Sequence, residues 1–484
     1  MSDFAALDLV GIAEGIARRK FSSREVTQWS LQRAATIGRR YNAFFRVDEE
    51  LALARAQKLD DRQARGDSLG ALHGVPLAHK DIFPVAGREM HAGTVILKGN
   101  IAQRTAFAVA RLDDAGQVNI GSLHMSEFAL SPTGFNHHYG SGLNPWNPLH
   151  VCGGSSSGSG AAVAARAVFG SLGGDTAGSI RMPAAMCGIT GLKTTYRRMS
   201  LQDCVPLSFS LDSLGPIAQS ARDCARMLTH CAIYNPADAL SSNSPVPNYE
   251  ALLDGKLQGL RIGVPDKYFA DDLDDEVAAC LQASLDVLRR CGARIVAVDV
   301  PDMDTINSLA QLTMAVEAAT LHRKWIEAMP EQYSEQVRNR IDQGYTYAAV
   351  RYAEALSLRS RILQEFLTTS MLDCDVLHVP TLAMQTPTID ATTRGNPDDV
   401  LKLIGRVTRT TRGFNYLGVP AASVPAGISK AGLPMSFQLV GRPFAEGMLL
   451  RIADAFQRET DWHRKQPPLD AHASPQIGVT AETE

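Results

Sequence analysis

The chain has 484 residues, 45% of them hydrophobic and 20% charged, with a formal net charge of −3. That is ample apolar material for a large core, while the slightly acidic balance leaves no basic footprint for nucleic acid and so speaks against a nucleic-acid partner. No apolar run reaches the roughly 18 residues that a membrane span needs, so no membrane span is expected.

The elements follow in chain order. The N-terminal MSDFAALDLVGIAEGIARRK carries acidic residues and no continuous apolar stretch, which does not read as a signal peptide. Ser22 to Glu25 offers a capping box that opens a helix running toward Arg40. GVPLAH, just before Lys80, is a Gly-Pro turn leading into a short apolar stretch, read as the end of a buried strand. Helical stretches such as Asp275 to Arg290 alternate with Val- and Ile-rich runs, namely RIGVP from Arg261, ARIVAVDVP from Ala293, DVLHVPT from Asp375 and MSFQLVG from Met435. This alternation predicts an α/β fold with helices on both faces of a sheet. Asn235 to Asn248, with three prolines and three serines, reads as a surface loop. The division expected is an N-terminal helical segment over residues 1–70 packed on the core, an α/β domain over 71–467 and a polar, frayed tail over 468–484. The eight cysteines are widely spaced and read as buried free thiols, and cytoplasm is the default compartment.

The most informative stretch runs from Gly153 to Ser179, where a serine-glycine cluster, a run of small residues and a second glycine-serine turn place Ser155 and Ser179 at two turns. Glycine-rich turns expose backbone N–H groups and admit a ligand without a Cβ in the way, which suggests a nucleophile beside an anion-stabilising pocket. GGSSSGSG (Gly153 to Gly160) followed by DTAGSIRMPAAMCGITGLK (Asp175 to Lys193) resembles the signature of the amidase signature family. HGVPLAHKDIF from His73, GSLHMSEFA from Gly121, NPWNP from Asn144, SLDSLGPIAQSARDCA from Ser210, FNYLGVPAASVPAG from Phe414 and GLPMSFQLVG from Gly432 extend the likeness along most of the chain.

The resemblance implies a single α/β/α sandwich around a mixed, twisted central sheet. It also implies a catalytic triad of Ser179 as nucleophile, Ser155 as bridging serine and Lys80 as base, with a cis peptide between Gly154 and Ser155. The backbone N–H groups of Thr176, Ala177, Gly178 and Ser179 make a plausible oxyanion nest. The chemistry fits these residue types. An attacking hydroxyl must lose its proton, a lysine accepts it only when neutral, and burial can depress a lysine pKa by about 3 to 5 units. A serine hydroxyl between the two can relay the proton because it both donates and accepts. The sequence departs from the common family pattern at Ala177 and Arg197, where glycine is usual, and at Thr194, where proline is frequent. Alanine keeps its N–H if its φ is negative. Arg181 and Asp175 flank Ser179 and are expected to form an ion pair supporting the turn.

Other readings are weaker. Gly154 to Gly158 also fits the G-x-S-x-G elbow with Ser156 as nucleophile, but NPWNPLHVCG before it reads as loop where that elbow needs a strand. There is no S-x-x-K, no G-x-x-x-x-G-K-[ST] and no G-x-G-x-x-G; the histidines are scattered, so neither a metal nor another cofactor is expected.

The resulting expectation is an amide hydrolase that cleaves a small-molecule carboxamide through an acyl-enzyme, with a homodimer as an open option for its assembly. Two alternatives are the glutaminase component of a tRNA-dependent amidotransferase and a catalytically silent binding protein on the same fold. Arg406, Arg409, Arg412 and Arg442, around the FNYLG element, offer positive charge for an anionic substrate group or merely for a solvated surface, and the contrast with the acidic, tyrosine-containing approach of amidotransferase A subunits favours the stand-alone enzyme. Between Asp302 and Leu372, Leu309, Leu312, Met314, Trp325 and Met329 would suit an aryl or alkyl acyl group, or simply helix faces on the core.

Overall fold

The computed structural model describes residues 4–469. Beyond Leu469, the expected polar tail lies outside the described residues. Among those described, eleven strands form two sheets. The smaller contains Phe44–Val47 (β1), Pro76–Lys80 (β2) and Val118–Leu123 (β3) in the order β1-β3-β2, with β1 antiparallel and β2 parallel to β3. The larger comprises Gly170–Asp175 (β4), Thr190–Lys193 (β5), Ser213–Ala218 (β6), Arg261–Pro265 (β7), Arg294–Val298 (β8), Val376–Pro380 (β9), Ala421–Ile428 (β10) and Pro434–Gly441 (β11). Its order is β4-β6-β5-β10-β11-β9-β7-β8. It is mixed: β7 runs parallel to β8 and β9, while the β4-β6-β5-β10-β11-β9 run is antiparallel throughout. The four Val- and Ile-rich runs of the sequence become β7, β8, β9 and β11.

Every residue of β4, β5, β6 and β9 is buried: β5, β6 and β9 lie inside the sheet between layers of helix, and β4, at its end, is covered by β2 of the smaller sheet. β8, at the edge, is mostly open. β4, GSLGGD, has little strand propensity of its own; its glycines permit close approach. A Cβ on Gly174 would lie 2.7 Å from Ile82, and one on Gly173 3.0 Å from Ile180. β4 is thereby packed between β6 and the β2 strand that ends in Lys80.

Local signals account for several helices. Ser22 and Glu25 exchange the reciprocal bonds of a capping box at the start of the helix Ser23–Arg33, which continues as a π-type turn over Ala34–Gly38 and not as regular helix to Arg40. The helix Asp275–Arg290 carries Asp275 and Glu276 in its first turn and Arg289 and Arg290 in its last, matching the macrodipole. Helices Met303–Ala328 and Glu335–Thr346 pack closely: Gly344 sits where a Cβ would be 2.2 Å from the Ala315 carbonyl oxygen. Residues 235–248 contain no helix or strand. The eight cysteines are unpaired, with Cys204 and Cys291 only partly buried. Among the described residues, no helix is long and apolar enough to cross a membrane.

Candidate active site

The site lies where β2 and β4 end. After Asp175 the chain turns through Thr176 to Ile180 and enters the helix Arg181–Cys187. The Asp175 carboxylate organises this turn. It accepts from the Gly178 N–H at 2.8 Å and the Ile180 N–H at 3.1 Å, and it meets the Arg181 guanidinium at 3.0 Å through Nε and 2.9 Å through Nη2. Arg181 also donates to Gln438 at 2.7 Å, Asn415 at 2.7 Å and the Thr411 carbonyl at 3.0 Å. Burial alone would raise the Asp175 carboxyl, but the Arg181 charge and hydrogen bonds hold it well below the usual carboxylate range. The expected ion pair is therefore present and fully buried.

Gly178 has φ of +127°, and a Cβ there would lie 2.4 Å from Thr411 Oγ1, so this position demands glycine. Ala177 is not among the described residues with positive φ, so its backbone tolerates a side chain. Arg197, at the other unusual position, does adopt φ of +64°; its Nη2 donates to the Phe209 carbonyl at 2.8 Å.

The second turn carries the serine cluster. The Gly154–Ser155 peptide is cis. The helix Ser157–Ala164 that follows consists of buried Ser, Gly, Ala and Val, which lets it pack tightly against Arg181–Cys187; a Cβ on Gly160 would sit 3.0 Å from Pro183. Lys80 Nζ donates to Ser155 Oγ at 2.7 Å and to the Gly174 carbonyl at 3.5 Å. Lys80 is 1% exposed, and burial pushes its amine down to about 7 against the opposing charges of Asp212 and Asp175. Asp212 is in turn pushed up to about 6 by burial; it accepts from Thr176 Oγ1 at 2.6 Å and from the Leu207 and Ser208 N–H groups at 2.9 and 3.1 Å.

Ser179, 6% exposed, opens onto a cleft of about 250 Å³. Thr176 and Ala177 share its wall, whereas Gly178 does not and has its N–H engaged by Asp175. Ser156, the alternative nucleophile, is fully buried, with its hydroxyl donating to the Gly174 carbonyl at 3.4 Å. Among the described residues, no group of three or more His, Cys, Asp or Glu side chains could hold a metal ion.

Of the four arginines around FNYLG, only Arg412 lines the cleft. Arg406 pairs with Asp272 and Asp274, Arg409 lies over the Tyr268 ring, and Arg442 donates to the Met371 carbonyl. Of the five apolar residues named between Asp302 and Leu372, Met314 alone reaches the cleft, beside its neighbour Ala315; Leu309 and Leu312 are core, and Trp325 stacks on Phe128. The same segment contributes Arg340, Gln311 and Gln343, which no sequence motif marks.

By fold and by family this is an enzyme that acts on amide C–N bonds. The profile of the Amidase family matches residues 25–450, and the chain belongs to that family. The A subunit of the glutamyl-tRNA(Gln) amidotransferase of Pseudomonas syringae pv. syringae (strain B728a) is 37% identical over 484 residues, 95% of this chain and 99% of that one. Its namesake from Roseiflexus sp. (strain RS-1) is 38% identical, over 96% of this chain and 98% of that one. Among solved structures, a component of a vestigial protein complex linked to the evolutionary origins of an s-triazine catabolic enzyme superposes with a TM-score of 0.88 at 31% identity, covering 94% of this chain and 98% of that one. A peptide amidase bound to chymostatin gives 0.85 at 28% identity, over 96% and 99% of the two chains.

These relatives correct one expectation. A small-molecule amide enzyme without a nucleic-acid connection, alone or as a homodimer, does not match sequences similar from end to end that are named as subunits of a tRNA-dependent amidotransferase. The net charge of −3 does not decide the point, because it averages over one chain, and an assembly can handle an RNA without any single component being basic.

Proposed function

We propose that this chain is the amide-cleaving component of a glutamyl-tRNA(Gln) amidotransferase-type assembly, taking ammonia from the side-chain amide of glutamine. The observation that carries this reading is the end-to-end similarity to A subunits of such enzymes, at 37% identity over 95% of the chain. The site geometry supports the chemistry. In this reading, the Ser179 hydroxyl attacks the carboxamide carbon while its proton passes through Ser155 to neutral Lys80, whose Nζ already lies 2.7 Å from Ser155 Oγ. The developing oxyanion is held by backbone N–H groups of Thr176, Ala177 and Ser179, with Gly178 holding the turn in shape through Asp175. Lys80 returns the proton through Ser155 to the leaving nitrogen, ammonia departs, and an ester remains on Ser179. Water activated by the same pair then releases the acid and frees the serine. Asp212 acts on this sequence as a positioning residue, orienting Thr176 through its side chain.

The test is ammonia release from glutamine by the chain alone and with its co-purifying partners. Release that depends on Ser179 and is raised by the partners supports the reading. Indifference to glutamine under both conditions overturns it.

A further inference from the structure

Two guanidinium groups converge on the cleft from different elements. Arg340 comes from the helix Glu335–Thr346, and Arg412 from the turn between the helix Pro397–Thr408 and the short helix Gly413–Leu417. Both are half-buried. Each has most of its donors uncommitted. Arg340 Nη1 donates to the Leu130 carbonyl, and Arg412 Nη2 to Thr408 Oγ1 at 2.5 Å. Arg412 Nε is buried with no hydrogen-bond partner. A guanidinium has five N–H donors in a planar fork suited to a carboxylate.

Among the described residues, no carboxylate forms a salt bridge with either arginine, and no Asp or Glu lines the cleft. The acidic groups on the surrounding elements are directed elsewhere. Asp175 is held by Arg181, Asp212 by Thr176 and backbone amides, Glu127 by His138 and Ser334, and Glu317 by Ser208, Ser210 and Tyr352. Burial, with Arg412 nearby, lowers the Arg340 guanidinium to about 10, so two desolvated like charges stand close together without a counter-ion. Such an arrangement is costly until an anion enters. An ammonium entering the same space meets two positive charges and no carboxylate, only neutral acceptors such as the Gln311 and Gln343 amides and the Ser131 and Thr408 hydroxyls.

We propose that Arg340 and Arg412 bind a carboxylate on the acyl side of the amide donor and that the cleft does not recognise an α-ammonium, so that glutaramate, which is glutamine without its amino group, is at least as good a donor as glutamine. This deepens the functional reading above and rests on its placement of the reacting amide beside Ser179.

The test compares glutaramate, glutamine and butyramide in two formats: binding to the Ser179→Ala protein by calorimetry, and ammonia release by the unaltered protein with its co-purifying partners. Glutaramate is expected to bind and react at least as well as glutamine, and butyramide about tenfold or more worse than either. Arg412→Gln and Arg340→Gln are each expected to weaken glutaramate binding about tenfold and to narrow its lead over butyramide. Tighter binding of glutamine than of glutaramate overturns the inference and leaves the functional reading standing. Arginine-dependent binding of glutaramate without Ser179-dependent hydrolysis of any amide keeps the carboxylate subsite and overturns the functional reading. Because the ligand comparison uses intact arginines, it decides the matter even if an arginine variant fails to fold.

Discussion

Lys80 Nζ donates to Ser155 Oγ at 2.7 Å across 75 positions of sequence, from the last residue of β2 to a serine that follows a cis peptide. The contact is buried on every side, and that burial brings the lysine amine down to about 7. A lysine so placed can be neutral near physiological pH.

Turnover should therefore depend on pH. Below about 7 the amine holds its proton and cannot accept another, so kcat/KM should rise with pH, about tenfold per unit at first, and level off above about 7. Asp212 titrates near 6 on the same site, so the pH dependence belongs to the pair and should shift upon Asp212→Asn. Linkage has the same sign. The folded-state value lies below the ordinary 10.5, so the unfolded chain binds more protons between about 7 and 10.5. This group therefore adds stability as pH rises through that window and loses it as pH falls. A kcat/KM that falls with rising pH across 6 to 8 would rule out a neutral lysine as the base.

Lys80→Ala and Ser155→Ala should each lower the rate by about 100-fold or more, and Lys80→Arg should not restore it because arginine keeps its proton. Ser156→Ala serves as the contrast. Its hydroxyl reaches only the Gly174 carbonyl, so activity should stay within a fewfold of the unaltered protein. The measurement is ammonia release at pH 8, with circular dichroism to check folding.

Gly178→Ala should destabilise the protein and abolish turnover together. The added Cβ meets Thr411 Oγ1 at 2.4 Å and requires φ of +127° from a residue that resists it, at a cost of about 2 kcal/mol or more. Urea denaturation reads the stability change. A variant with an unchanged midpoint and full activity would show that the turn does not need this conformation.

Asp175→Asn removes half of a fully buried ion pair and leaves Arg181 with its charge unmatched, which should cost about 3 to 5 kcal/mol. Burial works to raise the Asp175 carboxyl, but Arg181 outweighs it and the net shift is downward. The stability that this group contributes is therefore complete above the ordinary carboxylate pKa and is lost as pH falls below it. The difference between the two proteins in urea midpoint should shrink in acid.

The sequence made the scaffold legible wherever local pattern sufficed. The helix Asp275–Arg290 and the strand Arg261–Pro265 begin and end as read, because charge at the helix termini and a β-branched run bounded by proline are local signals. The serine turns were legible for the same reason: glycine marks where backbone must come close. β1 was not, since four residues, FFRV, inside a helix-rich region carry no alternation long enough to separate strand from loop. Arg340 was not legible either. It reaches the cleft because Gly344 lets its helix settle on Ala315 and because Glu127 accepts from Ser334 at that helix's N-cap, and both contacts are long-range. The four arginines near FNYLG looked alike in sequence; nearby partners, among them Asp272 and Asp274, determine which one is left facing the cleft.

If this chain supplies ammonia within an amidotransferase assembly by attack from Ser179, labelled nitrogen must pass from glutamine to the charged tRNA. The most direct measurement is to tag the chain in its native cells, purify it with whatever binds it, and follow conversion of Glu-tRNA(Gln) to Gln-tRNA(Gln) with amide-labelled glutamine as nitrogen donor. The expected result is a multi-subunit complex that transfers the labelled nitrogen, while the same complex carrying Ser179→Ala transfers none. A chain that purifies alone and hydrolyses amides without ever transferring nitrogen to the charged tRNA would contradict it.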